Sequence, residues 1–363
     1  MLNNPYLALT FSANLSVFMF LGLSATFWLS LLTFILLSIK TVSTFKITKN
    51  DFFIFICCIL FGPILTTLVN DFSFPRFFLF TLLLSFIYFF KVLEYKKFQN
   101  LVSIYFNISL ILLTSSFLIF LVSKTGLITL ERFISFGGRF AGFSFENVDH
   151  VFITTFLILY LLQKDTANTR SFYERTILAF LFMLLIMSQS NMFYVLVFSI
   201  AQVFLIRWFR LKHQSSLFIV VSSFIILFAF DYIWQYLPSV RGNAFDILER
   251  IRGAQFLLES ALNNFNLFSF EFFLNNRSCL MGSGTNNFGF LNLTCDFGIF
   301  GLLLFLIVLF FVERNLSAST NQKFYLSLIV MFSINTILLV PNYYTPSYIF
   351  ALLFGIKSLQ KSR

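Results

Sequence analysis

Apolar runs of about one bilayer's length follow one another along almost the whole chain, with polar residues confined to short gaps and two longer ones. About 20 residues in helical form cross a hydrocarbon core about 30 Å thick, and in lipid a helix satisfies its own backbone. The runs predict helices over 6–22, 23–39, 51–70, 76–91, 100–123, 147–163, 176–189, 192–207, 215–234, 286–312, 324–341 and 346–357. As one helix, residues 6–39 would extend about 50 Å at 1.5 Å per residue, so two short helices pivoting near Gly22 are expected. Residues 176–207 read as two short helices joined by the polar stretch Ser188 to Asn191, one end of which could also be re-entrant.

The expected architecture is therefore all-α, a polytopic transmembrane helix bundle of about 12 spans forming a single integral membrane domain over 1–363. Composition agrees: 58% of residues are hydrophobic and 11% charged, where a soluble domain carries about 25% charge. The 58 Phe fit biased composition or lipid-facing packing and carry no functional argument. No positively charged leader region or small-residue cleavage site precedes the first span, which is expected to stay as an uncleaved anchor.

A formal charge of +10 would suggest nucleic acid in a soluble protein, so the positions of the charges matter. Alternate connections hold Lys40, Lys46, Lys49, Lys91, Lys96, Lys97, Lys164, Arg170, Arg175, Arg207, Arg210, Lys212, Arg314, Lys323, Lys357, Lys361 and Arg363, which is 17 of the 25 basic residues, against 5 of the 15 acids. The positive-inside rule makes that side cytoplasmic, together with both termini. The excess is then a topology signal, and no nucleic-acid partner is expected. Cys57 and Cys58 are adjacent within a span, and Cys279 and Cys295 lie near the outer end of a later one, where a disulfide and plain core cysteines are both open.

Two outer connections are long, Ser123 to Glu146 (123–146) and Gln235 to Thr285 (235–285), and loops of that length in a compact bundle are usually functional. The outer basic residues are Arg76, Lys124, Arg132, Arg139, Arg241, Arg250, Arg252 and Arg277, seven of the eight Arg, whereas 11 of the 17 inner ones are Lys. A guanidinium fork grips phosphate or carboxylate bidentately and tolerates partial desolvation, so these loops suit an anionic group. Pairing with the outer acids or lipid headgroups would use some of the same arginines. Within the second loop, Leu248, Ile251, Leu258, Leu262 and Phe265 recur at helical spacing, which predicts an amphipathic helix over 245–265 lying along the outer interface. An ordinary surface helix stitched by Asp246 and Arg250 fits the same pattern.

The chain has no Walker-type loop, GxGxxG, paired CxxC or HExxH, and its only histidines are His150 and His213, so neither nucleotide hydrolysis nor a metal or other cofactor is expected. His213 falls in a cytoplasmic connection. His150 lies one turn inside a span, where a lone histidine is more often a structural hydrogen-bonder than a catalyst.

Two stretches resemble the O-antigen polymerase and ligase superfamily. The first, Gly138-Arg139-Phe140-Ala141-Gly142-Phe143-Ser144-Phe145-Glu146-Asn147, is similar to a family pattern of Arg, Gly three later, an aromatic, and Pro-Asn before a helix, with Glu146 where Pro is usual. The second starts at Arg252, passes the Gly282-Ser283-Gly284 turn, and closes with Asn287, Asp296, Gly298, Ile299 and Gly301. The resemblance implies a bundle like the membrane-embedded (GT-C-like) glycosyltransferases and a metal-independent, inverting-type glycosyl transfer from a polyprenyl-diphosphate-linked glycan on the periplasmic face of a bacterial inner membrane. Donor and acceptor glycans and membrane lipid would be its partners, with a chain-length regulator protein. It further implies that Arg139, Arg252 and Arg250 act on the departing diphosphate, with Arg277 and Arg241 in support. The hydroxyl proton would go to Glu146, Asp149, Asp246 or Glu249, a choice the sequence leaves open. Gly142, Asn147, Gly282, Gly284, Asn287 and Asp296 would line the substrate, while for each of the three glycines alone a plain turn is the commoner explanation. Ligases of the superfamily commonly carry a histidine in the second long loop, and none occurs from Gln235 to Thr285, which favours the polymerase branch. A lipid-linked oligosaccharide flippase would also have about a dozen spans, though transporters place ionisable groups near mid-membrane. A membrane acyltransferase would need a catalytic histidine, for which only His150 is placed.

Overall fold

A computed structural model describes residues 19–20, 23–24, 95–126, 134–135, 139–140, 142, 147–164, 171–190, 192–209, 221–222, 321–339 and 346–361. The expected spans 51–70, 76–91 and 286–312, the long connection 235–285 with its amphipathic helix, and all four cysteines lie outside the described residues, as do most of 6–39 and 215–234.

The described residues are helical apart from two short strand pairs. The helices are α1 (Tyr95–Lys124), α2 (Asn147–Lys164), α3 (Phe172–Ser188), α4 (Met192–Trp208), α5 (Asn321–Leu339) and α6 (Pro346–Lys361). Strand β1 (Met19–Phe20) pairs antiparallel with β2 (Leu23–Ser24), and β3 (Ile134–Ser135) with β4 (Arg139–Phe140). Near Gly22, then, where the apolar run predicts helix on both sides, the chain forms a strand pair with two intervening residues. It reverses at the expected place through a different backbone.

Helix α1, from Phe98 to Lys124, is long and apolar enough to cross a membrane, while Val148–Gln163, Met192–Trp208, Phe324–Ile337 and Phe350–Leu359 are apolar but shorter. Three of the α1 hydroxyls are absorbed locally: Thr114 donates to the Leu110 carbonyl at 2.8 Å, Ser116 to Leu113 at 2.9 Å and Ser123 to Phe120 at 2.7 Å. Such back-bonding keeps a polar side chain from leaving an unmet donor in apolar surroundings. Gly126, at φ 79°, sits past the helix end in the left-handed conformation that favours glycine.

Helices α2 and α5 form the centre. Residues 151–159 of α2 and 326–337 of α5 are buried without a break, and Phe152 stacks on Phe332 at 5.2 Å. A single apolar stripe cannot produce this; polar positions are buried here as well, the hydroxyls of Thr154, Ser333 and Thr336 donating to carbonyls of their own helix. Around them, α3 packs on α2, α4 on α5, and α6 on both α5 and α2, with α1 beside α6. The peripheral helices also turn apolar residues outward: Ile111 and Leu118 on α1, Phe182 and Ile186 on α3, Phe193 and Phe204 on α4.

The α3–α4 connection is local chemistry. Ser171 caps α3 by accepting from the Glu174 amide at 3.2 Å, Gln189 takes a left-handed φ of 43° at its end, and the Ser190 hydroxyl accepts from the Met192 amide at 3.3 Å. The polar stretch at 188–191 thus separates two helices, as the sequence suggests.

Candidate functional site

Phe98 lies against Phe354, Phe106 against Tyr160, and Tyr160 against Phe354, which puts the start of α1 beside the ends of α2 and α6. At this end Lys357 stands 5.3 Å over the Phe98 ring and Arg207 5.2 Å over Phe324. The opposite end collects the first turns of α2 and α6 and the second half of α1, and the site forms there.

Asp149 is in the first turn of α2, where the helix dipole favours an anion, and is 6% exposed. A buried carboxylate needs hydrogen bonds in place of water. Tyr348, in the first turn of α6 and 199 residues away, donates its hydroxyl to Asp149 Oδ1 at 2.5 Å. Tyr348 is itself fully buried, edge-on to Phe152 with centroids 4.5 Å apart. Its neighbour Ser347 accepts from the Tyr105 hydroxyl of α1 at 3.4 Å. The carboxylate thereby ties α2 to α6, and α1 is tied to α6 at the adjacent residue.

Next to it, His150 is fully buried, and neither ring nitrogen has a hydrogen-bond partner among the described residues. Among the described residues its contact is aromatic: the Phe140 ring meets His150 at 4.8 Å and 87°. Phe140 also contacts Phe117 at 6.0 Å and Phe120 at 5.3 Å, edge-on in both cases. Gly142 follows at φ 62°, and a Cβ there would lie 3.0 Å from His150 Nδ1. Strand β4 is thus seated on the bundle by an aromatic plug, with a close-packed glycine two residues on.

Of the residues singled out from sequence, Arg139 lies in β4, opposite Ser135, one position before the Phe140 plug. Asn147 opens α2, and Asp149 and Gly142 stand as above. The structure thus brings Arg139, Gly142, Asn147 and Asp149 to one end of the bundle. Glu146, Arg241, Arg250, Arg252, Arg277, Gly282, Gly284, Asn287 and Asp296 lie outside the described residues.

Sequence reasoning passed over Tyr348, Ser347 and Tyr105. A signal existed: the predicted spans 147–163 and 346–357 both start at the outer side, so Asp149 and Tyr348, each third in its span, come to equal depth. A second polar group was also missed. Asn335 of α5 donates to Ser199 Oγ at 2.9 Å and Gln202 Oε1 at 2.7 Å on α4, and Gln202 donates to Ser222 at 2.7 Å. Uncharged interhelical bonds of this kind tie helices together, each contributing about 0.6 kcal/mol and up to about 2.

Comparison with protein-family models, curated proteins and solved structures gives no match.

Proposed function

We propose that this chain is an O-antigen polymerase of a bacterial inner membrane, joining polyprenyl-diphosphate-linked oligosaccharide units on the outer face. The observation that carries the reading is the seating of strand β4. Phe140 and Gly142 anchor it against His150, so an Arg-bearing strand and an Asp-bearing helix turn share one end of the bundle. The outward apolar faces of α1, α3 and α4 support a lipid environment, since a water-exposed helix would carry charge there. In this reading the protein has about 12 spans, and the end carrying Arg207 and Lys357 faces the cytosol.

The acceptor hydroxyl oxygen bonds to the anomeric carbon while that carbon's bond to the diphosphate oxygen breaks. The electron pair leaves with the diphosphate, and the hydroxyl proton passes to a carboxylate. Arg139, with Arg252, Arg250 and Arg277 from the second long loop, stabilises the negative charge growing on the leaving group, the kind of electrostatic contribution whose loss costs about 10²–10³ in rate. Glu146 and Asp149 are the carboxylates nearest in sequence to Arg139 among those able to take the proton.

The test is a chromosomal deletion complemented with wild type or Arg139→Ala, with lipopolysaccharide resolved on a gel. The deletion should leave single repeat units on the lipid A core, and Arg139→Ala, present in the membrane at wild-type amount, should fail to restore the ladder. Loss of every repeat unit, single ones included, would instead mark a ligase or a flippase. A full ladder from Arg139→Ala would remove Arg139 from the diphosphate site.

A further inference from the structure

The sequence leaves the hydroxyl proton four possible acceptors, Glu146, Asp149, Asp246 and Glu249. We propose that Asp149 is the base and that Tyr348 is its positioning residue, an inference that rests on the polymerase reading. Tyr348 does not touch substrate in this scheme. It acts by fixing the carboxylate.

The geometry argues for this in three steps. A base must be held within hydrogen-bond reach of the proton it takes, and a short carboxylate on a helix turn swings freely unless something fixes it. The Tyr348 hydroxyl fixes one Asp149 oxygen at 2.5 Å. Tyr348 in turn is rigid. It is fully buried, its ring is set edge-on to Phe152, and the Tyr105 hydroxyl holds the adjacent Ser347. These contacts come from α1, α2 and α6, so the position of the carboxylate is determined by the core rather than by a loop. The same turn of α2 continues into His150, on which Phe140 is seated, and Phe140 directly follows Arg139. Base and leaving-group cation are thereby built on one anchored unit.

In the step itself, the acceptor O–H proton transfers to Asp149 as the acceptor oxygen bonds the anomeric carbon and the diphosphate departs with the electron pair of the broken C–O bond. The protonated carboxyl then passes its proton to water. No oxidant, metal or second nucleophile is required.

The experiment is a kinetic cycle on the full-length protein in proteoliposomes, using lipid-linked oligosaccharide extracted from cells deleted for this gene. Wild type, Tyr348→Phe, Asp149→Asn and the double variant are compared for kcat, KM and thermal midpoint. Asp149→Asn should lose about a hundredfold or more in kcat, the usual share of a general base. Tyr348→Phe should lose about tenfold in kcat, the worth of one hydrogen bond to a charged group, with KM within about twofold. The double variant should be no slower than Asp149→Asn, because a positioning residue has nothing left to position. A Tyr348→Phe protein with wild-type kcat and a lowered thermal midpoint would make the bond a structural tie and overturn the proposal. So would an Asp149→Asn protein of near wild-type rate, or a double variant slowed by the product of the two single effects. If wild type itself forms no chains from these units, the polymerase reading fails first and takes this inference with it.

Discussion

At Gly142 two separate physical demands fall on one residue. Its backbone is left-handed, at φ 62°, and the site of a Cβ lies 3.0 Å from His150 Nδ1 and 3.4 Å from Ser116 Oγ. In Gly142→Ala the conformational demand costs about 1–2 kcal/mol, and the contact with the imidazole adds to it. Removing the imidazole in His150→Ala relieves the second demand and leaves the first. Thermal unfolding in detergent should therefore show Gly142→Ala and His150→Ala each lowering the midpoint, with the double variant clearly more stable than the sum of the two losses predicts. Strict additivity would mean that Gly142 and His150 do not press on each other. From sequence, Gly142 suggested a turn or a backbone brought close to substrate. What it comes close to among the described residues is a histidine eight residues on, and no spacing rule announces that contact.

Among the elements, the crossing of α5 and α6 is the tightest that any of the described glycines reveals. A Cβ on Gly355 would stand 2.5 Å from Val330 Cγ2 and 3.3 Å from the Leu326 carbonyl oxygen. Small residues at helix crossings let backbones approach, and in lipid that packing supplies much of the association energy. Gly355→Ala should separate the two helices and destabilise the bundle by about 1–3 kcal/mol. Gly355→Ala with Val330→Ala should recover part of the loss, since the overlapping methyl is gone while the carbonyl contact remains. Circular dichroism melting in micelles measures both, and a double variant no better than Gly355→Ala would show that the valine is not the obstacle. Helices such as this pair were legible in the sequence to within a few residues, because their apolar runs are long and end at polar stretches or at prolines such as Pro341 and Pro346. The cap of α3 was missed, although Ser171 and Glu174 stand at capping spacing: the apolar run predicts that helix only from 176, whereas it begins at Phe172. The strand pairs were not legible: two-residue strands are too short to show a period, and one of them falls inside an apolar run that reads as helix. Nor does an apolar run say which helix it packs against, which is why the Tyr348 to Asp149 bond had to come from the fold.

For the whole molecule, the arrangement of charge along the bundle is the property that links fold to proposed function. The start of α1 meets the ends of α2 and α6, so Lys96, Lys97, Lys164 and Lys357, scattered over some 260 residues of sequence, belong to elements that share one end. Arg207 joins them through Phe324, because α5 runs antiparallel to α6, its Leu326 to Val330 stretch lying against Gly355. The opposite end has Lys124 over Phe120, the Arg139 strand and the Asp149 carboxylate. In the proposed orientation the positive-inside rule turns the first end to the cytosol, and the proposed chemistry requires the second to face outward. Thr125, just past α1, and Tyr173, at the start of α3, are exposed at sequence positions that this orientation assigns to opposite faces. In a chain whose four native cysteines are replaced by serine, Thr125→Cys should react with an impermeant maleimide in intact spheroplasts, and Tyr173→Cys only after permeabilisation. Labelling in the reverse order would turn the Arg139 strand toward the cytosol, where no outer-leaflet diphosphate could reach it. Equal labelling of both in intact cells would place the start of α3 on the outer face and break the alternation of spans on which the orientation depends.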